Sequence, residues 1–265
     1  MSIDRREFLK IAGISTVLGI GGPVVLTGIE KGVAQASQVM ENPQVLKAKQ
    51  WGFVVDMSKI KTDDDIKRIV YACHSIHNVP DIPDPKHEVK WIWKDDFEHT
   101  FPEQDTAYMS EEWKQKPFLV FCNHCARPAC VRVCPTQATF KRKDGIVMMD
   151  MHRCIGCRFC MAACPFGARS FNFVNPRPYI TKENPEFPTR MKGVVEKCLG
   201  CYERIDKGLK PACIEASNGG ITFGDLTDPN SDVRKLIASN YVIQRKPELG
   251  TGPSIYYIIG GKENA

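Results

Sequence analysis

The sequence predicts an α+β fold in which short strands and short helices are strung between cysteine-bearing loops. Three observations predict it. Six apolar runs, Phe53 to Asp56, Phe118 to Phe121, Ile146 to Met149, Val194 to Glu196, Ile221 to Phe223 and Ile255 to Ile259, have strand length rather than helix length. Thr62 followed by Asp63, Asp64 and Asp65 reads as a helix N-cap with an acidic first turn. Behind it Ile66, Ile69, Val70 and Cys73 repeat at helical spacing, and Asp232 to Ala238 reads as a shorter terminal helix. The twelve cysteines of the 265-residue chain fall into interlocking groups with none spare.

Two of those groups carry the chemistry most clearly. Cys122, Cys125, Cys130 and Cys134 run into Pro135, and Cys154, Cys157, Cys160 and Cys164 run into Pro165. Such tandem runs occur in two-cluster bacterial ferredoxins, where the fourth cysteine of each run ligates the other cluster. The crossing assigns Cys122, Cys125, Cys130 and Cys164 to one 4Fe-4S cluster. Cys154, Cys157, Cys160 and Cys134 form the set for a second. Zinc ribbons and redox dithiols also pair cysteines two residues apart, but neither calls for this proline-ended pattern twice in tandem. No paired cysteine is followed directly by histidine, which excludes the usual c-type haem motif. His124, inside the first loop, is expected at the surface or behind a ligand. The fold class is therefore an α+β, duplicated bacterial-ferredoxin-like iron-sulfur fold with inserted loops.

The other four cysteines look incomplete until the same crossing is applied. Cys198, Cys201 and Cys213 stand at ligand-like positions, Ser217 stands where a fourth would, and Cys73 is alone upstream. Counting back from Cys73 at ferredoxin spacing lands on Ile69, Ile66 and Asp63, so that motif keeps its last ligand only. If the outer motifs exchange fourth ligands, Cys73 completes Cys198, Cys201 and Cys213 as the site of a third 4Fe-4S cluster. An apolar helix face then packs where a fourth cluster would sit. The competing count is two cubes plus a three-iron cluster on Cys198, Cys201 and Cys213, with Cys73 a buried thiol.

Arg5-Arg6 followed by Phe8-Leu9-Lys10 is a twin-arginine signal pattern. An uncharged stretch of 19 residues follows from Ile11 to Ile29, and Ala34-Gln35-Ala36 offers cleavage before Ser37. A retained anchor is the alternative, because about 20 residues span a bilayer. Export of a folded, metallated chain agrees with thiols occupied by iron outside the cytoplasm. The expected organisation is a signal over 1–36, a linker over 37–50 and a double-ferredoxin domain over 51–265. Its inner half covers about 117–175, and its outer half about 51–80 plus 190–225. Removing the signal takes away four basic and three acidic side chains from a chain of net charge +5, leaving about +4, too little to argue for nucleic acid. Arg127, Arg132, Arg153, Arg158, Arg169 and Lys141 to Lys143 flank the cluster loops, where cations favour reduction. His74 and His77 are expected to cap or lie at the surface near the third set, with a hydrogen bond that tunes its cluster the alternative. Residues 80–116, with Trp91, Trp93, Phe97, Phe101, Tyr108 and Trp113, and the proline-rich 174–190 are the expected docking surfaces, with core packing the alternative for the aromatics.

The four-motif plan, with eleven residues between Cys201 and Cys213, resembles the electron-transfer subunits of the dimethyl sulfoxide and polysulfide reductase class. Within it, ACHSIHNVPDIPDP, FPTRMKGVVEKC and RKPELGTGPSIYYI resemble the periplasmic iron-sulfur subunits (DsrO) of the Dsr transmembrane complexes of sulfur metabolism. The resemblance implies three 4Fe-4S clusters, a multi-haem cytochrome c partner and a quinone-interacting integral membrane subunit of the NrfD type. It further implies a periplasmic, membrane-associated electron relay with no small-molecule substrate. No nucleophile-base pair, flavin motif or pterin motif argues for catalysis. Two readings stay beside it: the same subunit of another periplasmic molybdopterin or quinone reductase complex, and a structural cluster protein without redox turnover.

Overall fold

In the computed structural model, which describes residues 43–260, the first apolar run becomes an inner strand of a four-stranded sheet. Strand β1 (Trp51–Asp56) sends Phe53 and Val55 into the main core and Val54 to the opposite face, as the period of two requires. The twin-arginine segment and linker residues 37–42 lie outside the described residues.

Helix α1 (Asp63–Ile76) starts with the expected cap. Thr62 Oγ1 accepts from the Asp65 amide at 3.1 Å and Asp65 Oδ2 accepts from the Thr62 amide at 3.1 Å, a closed capping box. The helix buries Ile66, Ile69 and Cys73, and His77 is its C-cap. Strand β2 (Ile92–Asp96) pairs antiparallel with β3 (Pro117–Phe121), Ile92 opposite Phe121. Between them lie the single-turn helices α2 (Phe97–Thr100) and α3 (Glu111–Lys114). Helix α4 (Ala129–Arg132) precedes a hairpin of β4 (Thr139–Lys141) and β5 (Val147–Met149). After α5 (Phe159–Ala162), strand β6 (Ser170–Phe171) pairs with β7 (Val195–Glu196), which ties the inner cysteine segment to the outer one. Helices α6 (Tyr202–Ile205) and α7 (Ala212–Ala216) lead into β8 (Ile221–Asp225), and α7 packs on α1. Helix α8 (Asp232–Ser239), β9 (Val242–Ile243) and β10 (Ile255–Ile258) complete the sheet in the order β8-β1-β10-β9. Within it β1 runs antiparallel to β8 and parallel to β10. The architecture is a mixed α+β body of several small sheets around an iron-sulfur-type module.

The two faces of the four-stranded sheet do different work. Val54 and Ile258 meet Val233 of α8 on the outer face. Phe53, Val55, Ile221, Ile255 and Tyr257 face the cysteine loops within the main core, and Tyr257 Oη donates to the Leu119 carbonyl at 3.1 Å, fastening the sheet to β3. The aromatic segment expected as a docking surface is mostly interior. Trp91, Trp93, Phe97 and Phe101 are buried, and Phe101 makes edge contacts with Phe118 and Tyr257 at 5.2 and 5.3 Å. Fully burying such rings stabilises by about 1.5–3 kcal/mol each, which outweighs holding them for a partner. Tyr108 and Trp113 remain exposed, whereas Phe187 of the proline-rich stretch is buried. No helix among the described residues is long and apolar enough to cross a membrane.

A candidate iron-sulfur centre

The three paired-cysteine loops share one left-handed backbone position. The residue before the second cysteine is left-handed in each: His124 at φ 40°, Gly156 at 70° and Gly200 at 68°. Gln137 and Gly167, each three residues after the last cysteine of its run, are left-handed too. Such turns gather successive N–H groups on one side, a concavity suited to an anion. The Gly200 amide lies 3.4 Å from Cys198 Sγ. Helices α4 and α5 carry Cys130 and Cys160, and Cys134 and Cys164 follow their C-caps.

Mutual repulsion shows which sulfurs are neighbours. Burial pushes the Cys125 thiol up to about 12, and Cys122, Cys130 and Cys164 add their charge. Cys134, Cys154, Cys157 and Cys160 line one small void together with Thr136 and Arg158. Burial, then Cys198, Cys201 and Cys213, pushes the Cys73 thiol well above its ordinary value. Burial likewise lifts Cys198 and Cys213 to about 12. Cys73 thus lies among the three downstream cysteines, which lone-thiol packing does not require. The groups adjoin one another: Cys130 bears on Cys160, and Cys122 on Cys198. Deprotonating such crowded thiols is unfavourable without a compensating cation, and a coordinated metal supplies it. At Cys134 burial is outweighed by the amides of Thr139, Thr136 and Ala138 and the Thr136 hydroxyl, so its pKa falls.

A buried cation tests whether the site suits an anionic cluster. Arg169 is 5% exposed, and its Nη1 donates to Thr139 Oγ1 at 3.1 Å. Its Nη2 is buried with no hydrogen-bond partner among the described residues. Burial alone would lower the Arg169 pKa, yet Cys130, Cys160 and Cys122 together raise it. A guanidinium held between two thiol groups with an idle donor fits a sulfide-thiolate cage, since an unpaired buried donor is costly. Most other flanking cations are engaged at the surface: Arg127 donates to the Gly250 carbonyl, Arg142 to Asp206, and Arg153 pairs with Asp150.

Several polar partners carry no spacing signal. Ser217, at the expected fourth ligand position, is the α7 C-cap; its hydroxyl donates to the Ile214 carbonyl at 2.7 Å and accepts from the Ile221 amide at 2.9 Å. His77 is 1% exposed, lies 3.6 Å from Cys73 Sγ through Nδ1 and reaches Glu203 Oε1 at 2.9 Å through Nε2. His77, Cys201 and Glu203 could together hold a metal ion, as could the half-buried Asp95 and Asp96 with the exposed His99. Asp96 and His99 are spent on the α2 cap. Lys197 is fully buried and donates to the carbonyls of Val147 and Cys198. Its place beside Cys198 was the one available hint.

Fold and loops define an iron-sulfur protein, and residues 114–177 match the 4Fe-4S dicluster domain family. The chain is 38% identical to the Hdr-like menaquinol oxidoreductase iron-sulfur subunit 1 of Archaeoglobus fulgidus, covering 98% of this chain and 100% of that one. It is 34% identical to the menaquinone reductase iron-sulfur cluster-binding subunit of Nitratidesulfovibrio vulgaris, over 79% of this chain and 88% of that one. It is also 36% identical to the chlorate reductase subunit beta of Ideonella dechloratans, over 96% and 68% respectively. The chain belongs to the family of iron-sulfur electron-transfer subunits of respiratory oxidoreductase complexes, related to those of dimethyl sulfoxide, polysulfide and menaquinol reductases. It is a subunit that transfers electrons, with the substrate chemistry done elsewhere in such a complex.

Proposed function

We propose that the twelve cysteines hold three 4Fe-4S clusters, ligated by Cys122, Cys125, Cys130 and Cys164, by Cys154, Cys157, Cys160 and Cys134, and by Cys198, Cys201, Cys213 and Cys73. When bound, such clusters supply one-electron transfer. The observation that carries the reading is the placement of Cys73 on α1 against Cys198, Cys201 and Cys213, so that each of three neighbourhoods contains four thiols. The Cys122 set lies between the other two, through Cys130 beside Cys160 and Cys122 beside Cys198. That order gives each set a neighbour to pass an electron to, which is what a relay needs. The protein residues exclude water, fix the thiolates and present amides and cations to them. The duplicated ferredoxin plan is supported by the repeated left-handed loop residues and paired single-turn helices.

In the narrower reading, the chain is an exported subunit of a Dsr-type complex, with a twin-arginine signal over 1–36. It takes the place between an NrfD-type quinone-interacting membrane subunit and a multi-haem cytochrome c. The motif stretches quoted above support this, as do the quinol and quinone in two relatives' names. A second reading, a subunit of another molybdopterin or quinone reductase, is favoured by the chlorate reductase likeness. Iron and acid-labile sulfide per anaerobically purified chain, with EPR before and after dithionite, test the cluster assignment. About twelve of each supports three cubes. About eleven iron with an oxidised three-iron signal rejects Cys73 as a ligand. Co-purification with the native membrane complex separates the two partner readings.

A further inference from the structure

We propose that His124, a residue of the first cysteine loop, is a positioning residue that sets the reduction potential of the third cluster through an Nε2–H bond to Cys198 Sγ. The inference deepens the three-cluster reading and rests on it. The tautomer follows from geometry. The Val147 amide donates to His124 Nδ1 at 3.1 Å, so Nδ1 holds a lone pair and the ring proton sits on Nε2. Nε2 lies 3.7 Å from Cys198 Sγ, within reach of an N–H···S bond. The ring has no freedom to turn away: it is 1% exposed and stacks on Phe53 with centroids 6.4 Å apart. Its carbonyl accepts from Ser254 Oγ at 3.1 Å.

The backbone gives a second, independent argument. His124 occupies the left-handed position that glycine fills in the other two loops. A side chain kept in that disfavoured conformation, at a site of this kind, points to a use for the side chain. The use is a link between loops: the same peptide unit region of β5 receives the Lys197 ammonium at the Val147 carbonyl and supplies the Val147 amide to His124. Hydrogen bonds to cluster sulfurs are among the factors that set iron-sulfur potentials, because they stabilise the more anionic reduced state. His124 therefore belongs by sequence to the Cys122 loop and acts on the neighbouring Cys198.

Two variants of the full anaerobically purified chain separate this role from a structural one. His124→Asn keeps an acceptor near the Val147 amide and tolerates positive φ, but has no atom that reaches Cys198; His124→Gln places an amide donor near the Nε2 position. EPR-monitored redox titration should show His124→Asn making reduction of one cluster about tenfold less favourable, 59 mV for a one-electron couple. The other two clusters should stay in place, and His124→Gln should recover most of the shift. With about twelve iron in each chain, an unmoved potential, an equal shift of all clusters, or no recovery by glutamine overturns the proposal alone. About eight iron in the unsubstituted chain overturns the third-cluster reading and the proposal with it.

Discussion

Arg190→Met removes one half of the most enclosed ion pair among the described residues. The Arg190 guanidinium meets the Glu196 carboxylate at 2.7 Å, with side chains 3% and 0% exposed. Glu196 also accepts from Trp91 Nε1 at 3.0 Å and Asn172 Nδ2 at 2.7 Å. Arg190 also donates to the carbonyls of His77 and Asn78, directly after α1, and to that of Pro188. At 2.7 Å and an effective dielectric of about 20 the attraction is about 6 kcal/mol. Burial costs several kcal/mol per ion, so the intact pair is close to neutral against an apolar one. Losing one partner strands the other charge and costs about 3–5 kcal/mol. At about 2–4 °C per kcal/mol for a body of this size, anaerobic thermal unfolding of Arg190→Met should come about 6–20 °C early. The double variant Arg190→Met with Glu196→Met should recover at least half of the loss. Because Arg190 clamps the end of α1, the three-cluster reading expects the EPR signal of the cluster assigned to Cys73 to fade first on warming. A single variant within 1 °C of the parent, or a double variant that loses the sum of both singles, would refute the reasoning.

Three further outcomes can be checked separately. Arg169→Met should lower the potentials of the clusters on the Cys122 and Cys154 sets and spare the third, since Arg169 lies against Cys130 and Cys160; redox titration with three unchanged midpoints would contradict it. Burial holds the His74 pKa down to about 4, and its ring bonds the Ile92 carbonyl at 3.1 Å. The unfolded chain therefore binds a proton near pH 6.5 that the folded chain refuses until about pH 4, so stability falls on acidification through that window. Each such proton contributes up to about 1.4 kcal/mol per pH unit, and His74→Gln should flatten the pH dependence of unfolding by that amount. Thr62→Ala opens the α1 capping box and should cost about 1 kcal/mol in unfolding experiments at neutral pH, with cluster content unchanged.

The cysteine neighbourhoods were legible because they are assembled from tight local loops, and loops of fixed geometry leave fixed spacings. The α1 cap and β1 were legible for the same reason: Thr62 to Asp65 and Phe53 to Val55 encode purely local rules. Strand β2 was not, since Ile92 to Asp96 ends in Lys94, Asp95 and Asp96 and takes its strand form from pairing with β3. Strands β6 and β9 have two residues each, too few for any period. The fate of Trp91 and Phe101 depended on tertiary neighbours, as composition cannot separate a core ring from a docking ring. Glu203, Lys197 and Arg190 act across segments distant in sequence, so no spacing announces them.

The position of Cys73 constrains how the protein can come into being. It lies among thiols that begin 125 positions later, at Cys198. While a ribosome is still emitting residues beyond α1, that neighbourhood does not exist, and Cys73 waits as a thiol on an unpaired helix. Joining ends so far apart carries a closure cost that grows only with the logarithm of the distance, and a metal clip across a long loop in theory gains most from it. A truncated product ending before Cys213 should therefore lose more than a ligand, because α1 loses α7 as a packing surface as well. In the three-cluster reading, iron delivery to this neighbourhood therefore waits until the chain has been made at least as far as Cys213.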